Sequence, residues 1–188
     1  MKGMRKGLIA GPDGTPIVSV LAQEMFAAGV EEVVLVTNEP EAYAAVGLEM
    51  IRDIRPGHGP LSGVEAALTR FSGKCGGTVF LACDAPNVRR DHMARLIEVF
   101  GRGMGKVAVA ESADYSLEPL CSVVYNDVLS SVAEALDAGK RRIGELWTEL
   151  GAVLVHFDDE RAFVNLNTEE DLRAWRQSQA PGGSRGGA

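Results

Sequence analysis

The stretch Thr78-Val79-Phe80-Leu81-Ala82-Cys83-Asp84-Ala85-Pro86 decides the fold. Residues 78–82 form an apolar run too short for a helix, the pattern of a strand covered on both faces in a parallel sheet. Asp84 lies just past the strand's C-terminal end, where open α/β sheets place their chemistry. After Pro86 the apolar positions Met93, Leu96, Ile97 and Phe100 recur at helical spacing. The same alternation runs outward in both directions. Upstream, helices are predicted over 16–28, 40–46 and 62–71, and strands over 33–36 and 48–51. Downstream, strands are predicted at 107–110, 122–125 and 153–157, with helices at 128–136, 143–150 and 168–176. Thr168 and Asp171 form a T-x-x-D capping box at the last helix. Repeated βα units with short connections predict one doubly wound α/β domain over residues 1–177, a mostly parallel sheet with helices on both faces. The tail, 178–188, lacks an apolar anchor and is expected to be disordered.

Composition agrees with a globular domain and excludes other classes. The 188 residues are 46% hydrophobic and 24% charged, close to ordinary soluble proteins, which rules out a disordered, collagenous or disulfide-scaffold chain. Nineteen basic against 26 acidic residues give a formal charge of −7, which argues against nucleic acid or an anionic membrane as the main partner. Any anionic ligand must therefore be met by local cations. Cys75, Cys83 and Cys121 contain no C-x-x-C pair, so a disulfide framework and a thiolate metal site are both disfavoured and a reducing, cytoplasmic setting is expected. No apolar run reaches the roughly 20 residues of a membrane helix, and no secretory h-region is visible. His58, His92 and His156 are scattered without ligand spacing.

Four groups of residues are candidates for chemistry. Asp84 is either a strand-end turn residue or a ligand for a hard cation such as Mg²⁺, which takes one or two carboxylates and completes its shell with water and phosphate. Cys83 beside it reads as packing, with no cationic neighbour in the local sequence. The loop Gly57-His58-Gly59-Pro60-Leu61-Ser62-Gly63 runs into a helix and either forms a plain left-handed turn or brings backbone N–H groups against a ligand. Lys140, Arg141 and Arg142 after Gly139 either complement a helix C-terminus or bind phosphate. Asn165 and Asn167, two apart in an extended segment, share one side, facing a ligand or neighbouring backbone.

Taken in order along the chain, these pieces resemble a known family. KGL at 6–8, AAGVEEVVLVTN at 27–38, RDIRPGHGPLSGVEAAL at 52–68, VFLACDAPNV at 79–88, EPLCSVVY at 118–125, GKRRIGEL at 139–146 and FVNLNTEEDL at 163–172 together resemble the molybdenum cofactor guanylyltransferases. The resemblance runs from about Lys6 to Trp175. It implies a Rossmann-like nucleotidyltransferase fold and transfer of GMP from GTP to molybdopterin, releasing pyrophosphate in the presence of Mg²⁺. By the same resemblance, Asp84 holds the metal and Lys6 neutralises GTP phosphates. Asn38, Asp53 and Gly63 line the guanine nucleotide pocket, and Asn165 and Asn167, with Arg141 and Arg142, face the pterin side. Asn38 also reads as an N-cap for the helix after Pro40. A related transferase using CTP or a sugar phosphate is the alternative within catalysis.

The basic cluster at the start departs from that family. Its members open with a strand and the signature L-A-G-G-x-S-x-R-M-G-x-D-K, whereas Met1-Lys2-Gly3-Met4-Arg5-Lys6 aligns only with the last residues of the signature, and Arg5 stands where the family has Asp. The first strand is therefore expected to be missing, which leaves a neighbouring strand edge unpaired. Two readings stand. Either the reading frame is longer than these 188 residues, or the triphosphate loop is lost and the chain is a non-catalytic module that binds molybdopterin or a molybdoenzyme maturation protein. On either reading the 188 residues alone are expected to have little transferase activity.

Overall fold

The computed structural model describes residues 5–179. A 3₁₀ turn at Lys6–Leu8 leads to α1 (Ile17–Ala27), β1 (Val34–Val36), α2 (Pro40–Tyr43), β2 (Glu49–Ile51), α3 (Pro60–Phe71), β3 (Gly77–Leu81) and α4 (Arg90–Gly101). The remaining elements are β4 (Val107–Glu111), β5 (Leu117–Tyr125), α5 (Leu129–Asp137), α6 (Ile143–Glu149), β6 (Val153–His156) and α7 (Glu169–Gln179). The alternation read from the sequence is therefore realised element by element. α7 runs through Ser178 and Gln179, past the expected domain boundary, with Ser178 Oγ donating to Trp175 O at 2.7 Å. The rest of the expected tail, 180–188, lies outside the described residues.

β1 and β2 pair in parallel, and a four-stranded sheet has the order β3-β5-β4-β6. β5 is antiparallel to both β3 and β4, while β6 is parallel to β4. α3 relates the two sheets. Its first turn lies at the end of β1, where a Cβ on Gly63 would sit 3.5 Å from Val36 Cγ1, and its last turn lies at the beginnings of β1 and β2, where Arg70 pairs with Glu32 and Glu49. The helix then feeds β3, and Asn126 Nδ2 donates to both Phe71 O and Cys75 O across that connection. α3 therefore runs opposite to β1, β2 and β3, and every strand except β5 points the same way. Among the described residues, no strand lies between β1 and β3.

β5 is longer than the sequence predicts, starting at Leu117 rather than Ser122. Pro119 obscures it, since proline has no N–H for a ladder. The register explains how it is accommodated: Val109 pairs with Ser122 but Ala110 pairs with Glu118, so a bulge takes Pro119 out of the β4 ladder. The Pro119 carbonyl is used instead, accepting from Ser122 Oγ and Trp147 Nε1, each at 3.0 Å.

Burial follows strand alternation. Ala108, Ala110, Cys121 and Val123 face a core closed by Leu21, Met93, Leu96 and Trp175 from α1, α4 and α7. Val107, Val109 and Val124 face the opposite core, closed by Leu68, Val132, Leu136 and Trp147 from α3, α5 and α6. β4 is buried on both faces, which is why its sequence is a continuous apolar run. Among the described residues, no helix is long and apolar enough to cross a membrane.

Candidate functional site

Segments far apart in sequence meet at the C-terminal end of β3. Lys6 Nζ donates to Asp84 Oδ2 at 2.8 Å and to Asn167 Oδ1 at 2.5 Å. The lysine is held by its turn, in which Gly7 packs so closely that a Cβ there would lie 3.2 Å from the Tyr43 ring. Leu166 N donates to Asp84 O at 2.9 Å and ties the 163–168 loop to the strand end. The predicted capping box then orients Asn167. Asp171 Oδ2 accepts from Asn167 N at 2.9 Å and from Thr168 N at 2.7 Å, and Asp171 N donates back to Thr168 Oγ1 at 3.0 Å. The Thr168 backbone N–H, foremost among these donors, holds the Asp171 carboxyl below its ordinary range. The Lys6 and Asp84 side chains are 26% and 23% exposed, so the pair is anchored yet open to a ligand.

The donor set suits a hard divalent cation. Asp84 supplies a carboxylate whose Oδ2 alone is engaged by Lys6, and the Asn167 amide oxygen lies on the same ammonium. Mg²⁺ and Mn²⁺ need little more from protein when phosphate and water complete the shell. Among the described residues there is no cluster of three or more His, Cys, Asp or Glu that could hold a metal ion. The histidines lie elsewhere: His58 Nδ1 contacts Pro56 O, His92 Nδ1 accepts from Arg89 N, and His156 sits between Glu111 and Asp158.

Asn38 and Asp53 form a second, reciprocal pair at the ends of β1 and β2. Asn38 Nδ2 donates to Asp53 Oδ2 at 2.8 Å, and Asp53 N donates to Asn38 Oδ1 at 3.2 Å. This corrects the N-cap reading of Asn38: Glu39 occupies the cap position of α2 and no side chain caps it. Gly63 lies directly over the pair, since a Cβ there would sit 3.4 Å from Asp53 Oδ1. The loop before α3 uses left-handed glycines at Gly57 (φ 81°) and Gly59 (φ 74°), which bring Pro60 into the first helical turn.

Arg141 and Arg142 stand at the start of α6. Arg142 occupies the N-cap position without a side-chain cap and pairs with Glu145 at 2.9 Å, Arg141 donates to Lys140 O, and Lys140 pairs with Glu149. The next turn of α6 packs on β5, where a Cβ on Gly144 would meet Leu117 and Pro119. That places the arginines on the α3, α5 and α6 side of the sheet, opposite the face that Glu118 shares with its partner Ala110. Glu118 is the residue that sequence reasoning missed. Half-buried, it interacts with the Asn165 side chain and feels the charges of Asp114 and Asp84; burial first, then those carboxylates, push its pKa up, against the Asn165 hydrogen bond. Nothing local in SLEPLC marks it, because its neighbours come from two other segments.

Residues 1–153 match the MobA-like NTP transferase domain. The chain belongs to that family. Members of the MobA-like family are nucleotidyltransferases, and by homology this chain groups with the molybdenum cofactor guanylyltransferases. It is 36% identical to the molybdenum cofactor guanylyltransferase of Cereibacter sphaeroides, over 85% of this chain and 80% of that protein. In fold it is similar to the crystal structure of molybdopterin-guanine dinucleotide biosynthesis protein A from Archaeoglobus fulgidus, with a TM-score of 0.74 at 23% identity over 93% of this chain and 90% of that one. It is also similar to Rv0371c of Mycobacterium tuberculosis in complex with manganese, with a TM-score of 0.68 at 19% identity over 94% of each chain. The MobA-like fold is the Rossmann-like α/β architecture expected from the alternating strands and helices.

The position of Glu118 in this MobA-like site gives a stability prediction. Its folded pKa lies above the ordinary 4.5, so the fold favours the protonated acid; the stabilisation is complete below the unfolded value and is lost as pH rises through the folded one. Glu118→Gln keeps the neutral form at every pH. In denaturant titrations the variant should be more stable than the parent at pH 7, with the difference vanishing at about pH 4 and below.

Proposed function

We propose that this site belongs to a transferase that moves the GMP moiety of GTP to the terminal phosphate of molybdopterin and releases pyrophosphate, with Mg²⁺ held by Asp84. The observation that carries this reading is the single ammonium of Lys6 bonded to both Asp84 and Asn167, 78 and 161 residues away in the chain. A basic group, a hard-cation ligand and an amide converge on the rim of a nucleotidyltransferase sheet. In the proposed reaction a phosphate oxygen of molybdopterin attacks the α-phosphorus in line; the new O–P bond forms as the bond to the β-phosphate oxygen breaks. The attacking oxygen is already anionic, so no strong general base is needed. Lys6 offsets negative charge on the phosphates, and positioning supplies most of the remaining acceleration. Asp84 would hold Mg²⁺, which would supply positive charge to offset the negative charge of the phosphates.

Asn38, Asp53 and Gly63 form the guanine side. A carboxylate oxygen beside a residue without a side chain suits a flat base with adjacent N–H donors, and guanine presents such donors at N1 and N2. Asn165 and Asn167 face the pterin substrate, with Arg141 and Arg142 as further cations toward it. The three free cysteines agree with a cytoplasmic setting. Thermal protection tests the choice of base: GTP with Mg²⁺ should raise the melting temperature and CTP with Mg²⁺ should not. Equal protection by the two nucleotides would favour the CTP-using alternative.

A further inference from the structure

Each end of α3 is held by an arginine with two carboxylates. At the last turn Arg70, from the helix itself, pairs with Glu32 before β1 and Glu49 at the start of β2. At the first turns the arginine comes from outside the helix. Arg55, in the connection between β2 and α3, pairs through Nη2 with Glu65 of α3 at 3.0 Å and through Nη1 with Asp137, the last residue of α5. Its backbone is engaged as well: the N–H donates to the buried Ser62 Oγ at 3.0 Å, and the C=O accepts from His58 N at 3.2 Å. The segment from Asp53 to Gly63 therefore closes on this one residue.

The two carboxylates on Arg55 differ in kind. Glu65 is 5% exposed, and among the described residues its Oε2 is buried without a hydrogen-bond partner. A buried carboxylate that loses its cation is left uncompensated, so Glu65 fixes where the guanidinium points. The Asp137 side chain is 70% exposed, so its pairing adds little to stability. What Asp137 adds is position, because it heads the connection that carries Lys140, Arg141 and Arg142. That connection turns at once, with Gly139 at φ 80° and Lys140 N donating to Ala135 O at 2.9 Å. We propose that Arg55 is a positioning residue that ties the 53–63 segment to the α5–α6 connection, so that Asp53 and Gly63 on the base side and the cations after Asp137 are held in one frame. The inference rests on the reading of Asp53 and Gly63 as the guanine side and extends it. A planar guanidinium fork can hold two carboxylates at once, whereas a lysine ammonium on a flexible stem would not hold both in place.

The test uses the 188-residue chain with Mg²⁺ and either GTP or ITP, whose base lacks the 2-amino group. Asp137→Asn should leave the melting temperature within about 3 °C of the parent, since only an exposed pair is lost. It should nevertheless weaken GTP binding roughly fivefold in calorimetric titrations, change ITP binding less than about twofold, and speed amide exchange at His58 and Lys140 together. Arg55→Lys should weaken GTP binding in the same way, and Asp137→Glu, which keeps the carboxylate, should recover most of the affinity. Glu32→Gln cuts the same kind of contact at the other end of α3 and should alter neither nucleotide binding nor these two amides. Unchanged GTP affinity in Asp137→Asn, an equal loss in Glu32→Gln, or no recovery in Asp137→Glu would overturn the proposal. A parent that binds neither nucleotide would overturn the guanine reading instead, and exchange at His58 would then decide the tie: an unchanged rate in Asp137→Asn would sink it.

Discussion

Asp84→Ala should remove most of the thermal protection that GTP with Mg²⁺ gives the protein. A ligand at 100 times its Kd stabilises by about 2.7 kcal/mol, which for a chain of this size is about 5–10 °C in melting temperature. The variant should retain only the protection seen with GTP and a chelator. Folding itself should be little affected, because the Lys6–Asp84 pair is a quarter exposed and such pairs contribute about 0–1 kcal/mol. Lys6 also keeps Asn167 as a partner, and the backbone bond from Leu166 to the Asp84 carbonyl does not depend on the side chain. Cys83→Ala is the matched control. Burial, reinforced by Asp84, raises the Cys83 thiol pKa, so the group is neutral packing at neutral pH, and its removal should leave the nucleotide protection intact. Equal losses from the two variants would show that Asp84 does not hold the metal.

Trp147→Ala should lower the melting temperature by on the order of 10 °C. Trp147 is fully buried at 0% exposure in the core formed by α3, α5, α6 and the Val107–Val109 face of β4. Truncating a buried tryptophan costs about 3–5 kcal/mol, the lost transfer energy plus the cavity left behind, and each kcal/mol is about 2–4 °C at this length. The indole N–H adds less than its burial would suggest. Its acceptor, the Pro119 carbonyl, keeps the Ser122 hydroxyl as a second donor, so truncation does not orphan it. The cavity term therefore dominates, and Trp147→Phe, which keeps most of the ring volume, should recover a large part of the loss in a calorimetric scan. A drop of less than 2 °C for the alanine variant would mean that this core collapses around the deletion.

These two residues differ in how visible they are in sequence. Asp84 stands out because a short apolar run ends just before it and Pro86 follows, a local pattern with one structural meaning in an α/β chain. Trp147 is only one apolar position among several at helical spacing. Its weight comes from complete burial among segments distant in sequence, including β5, the strand that Pro119 conceals. Glu118 shares that strand and that concealment. Its neighbour Asn165 and the charges that raise its pKa arrive from the 163–168 loop, the β4–β5 hairpin and the end of β3. Pro40 gives Asn38 a cap reading beside its pocket reading, and the side chain instead reaches Asp53, just past the end of the next strand.

The sequence by itself determined the alternation of strands and helices, the single family to which they belong, the capping box at Thr168 and Asp171, and the position of Asp84 at a strand end. These are properties of neighbouring residues, written in periods of two and 3.6 and in the preferences of proline, glycine and short polar side chains. The tertiary structure decided the Lys6–Asp84–Asn167 contact, the bulge that admits Pro119, and the polarity of β5. Among the described residues it also left β1 and β3 each paired on one side only, in two separate sheets. Those features depend on which backbone groups face each other after the chain has closed on itself, and hydrogen bonds between distant strands leave no periodic trace in the order of residues.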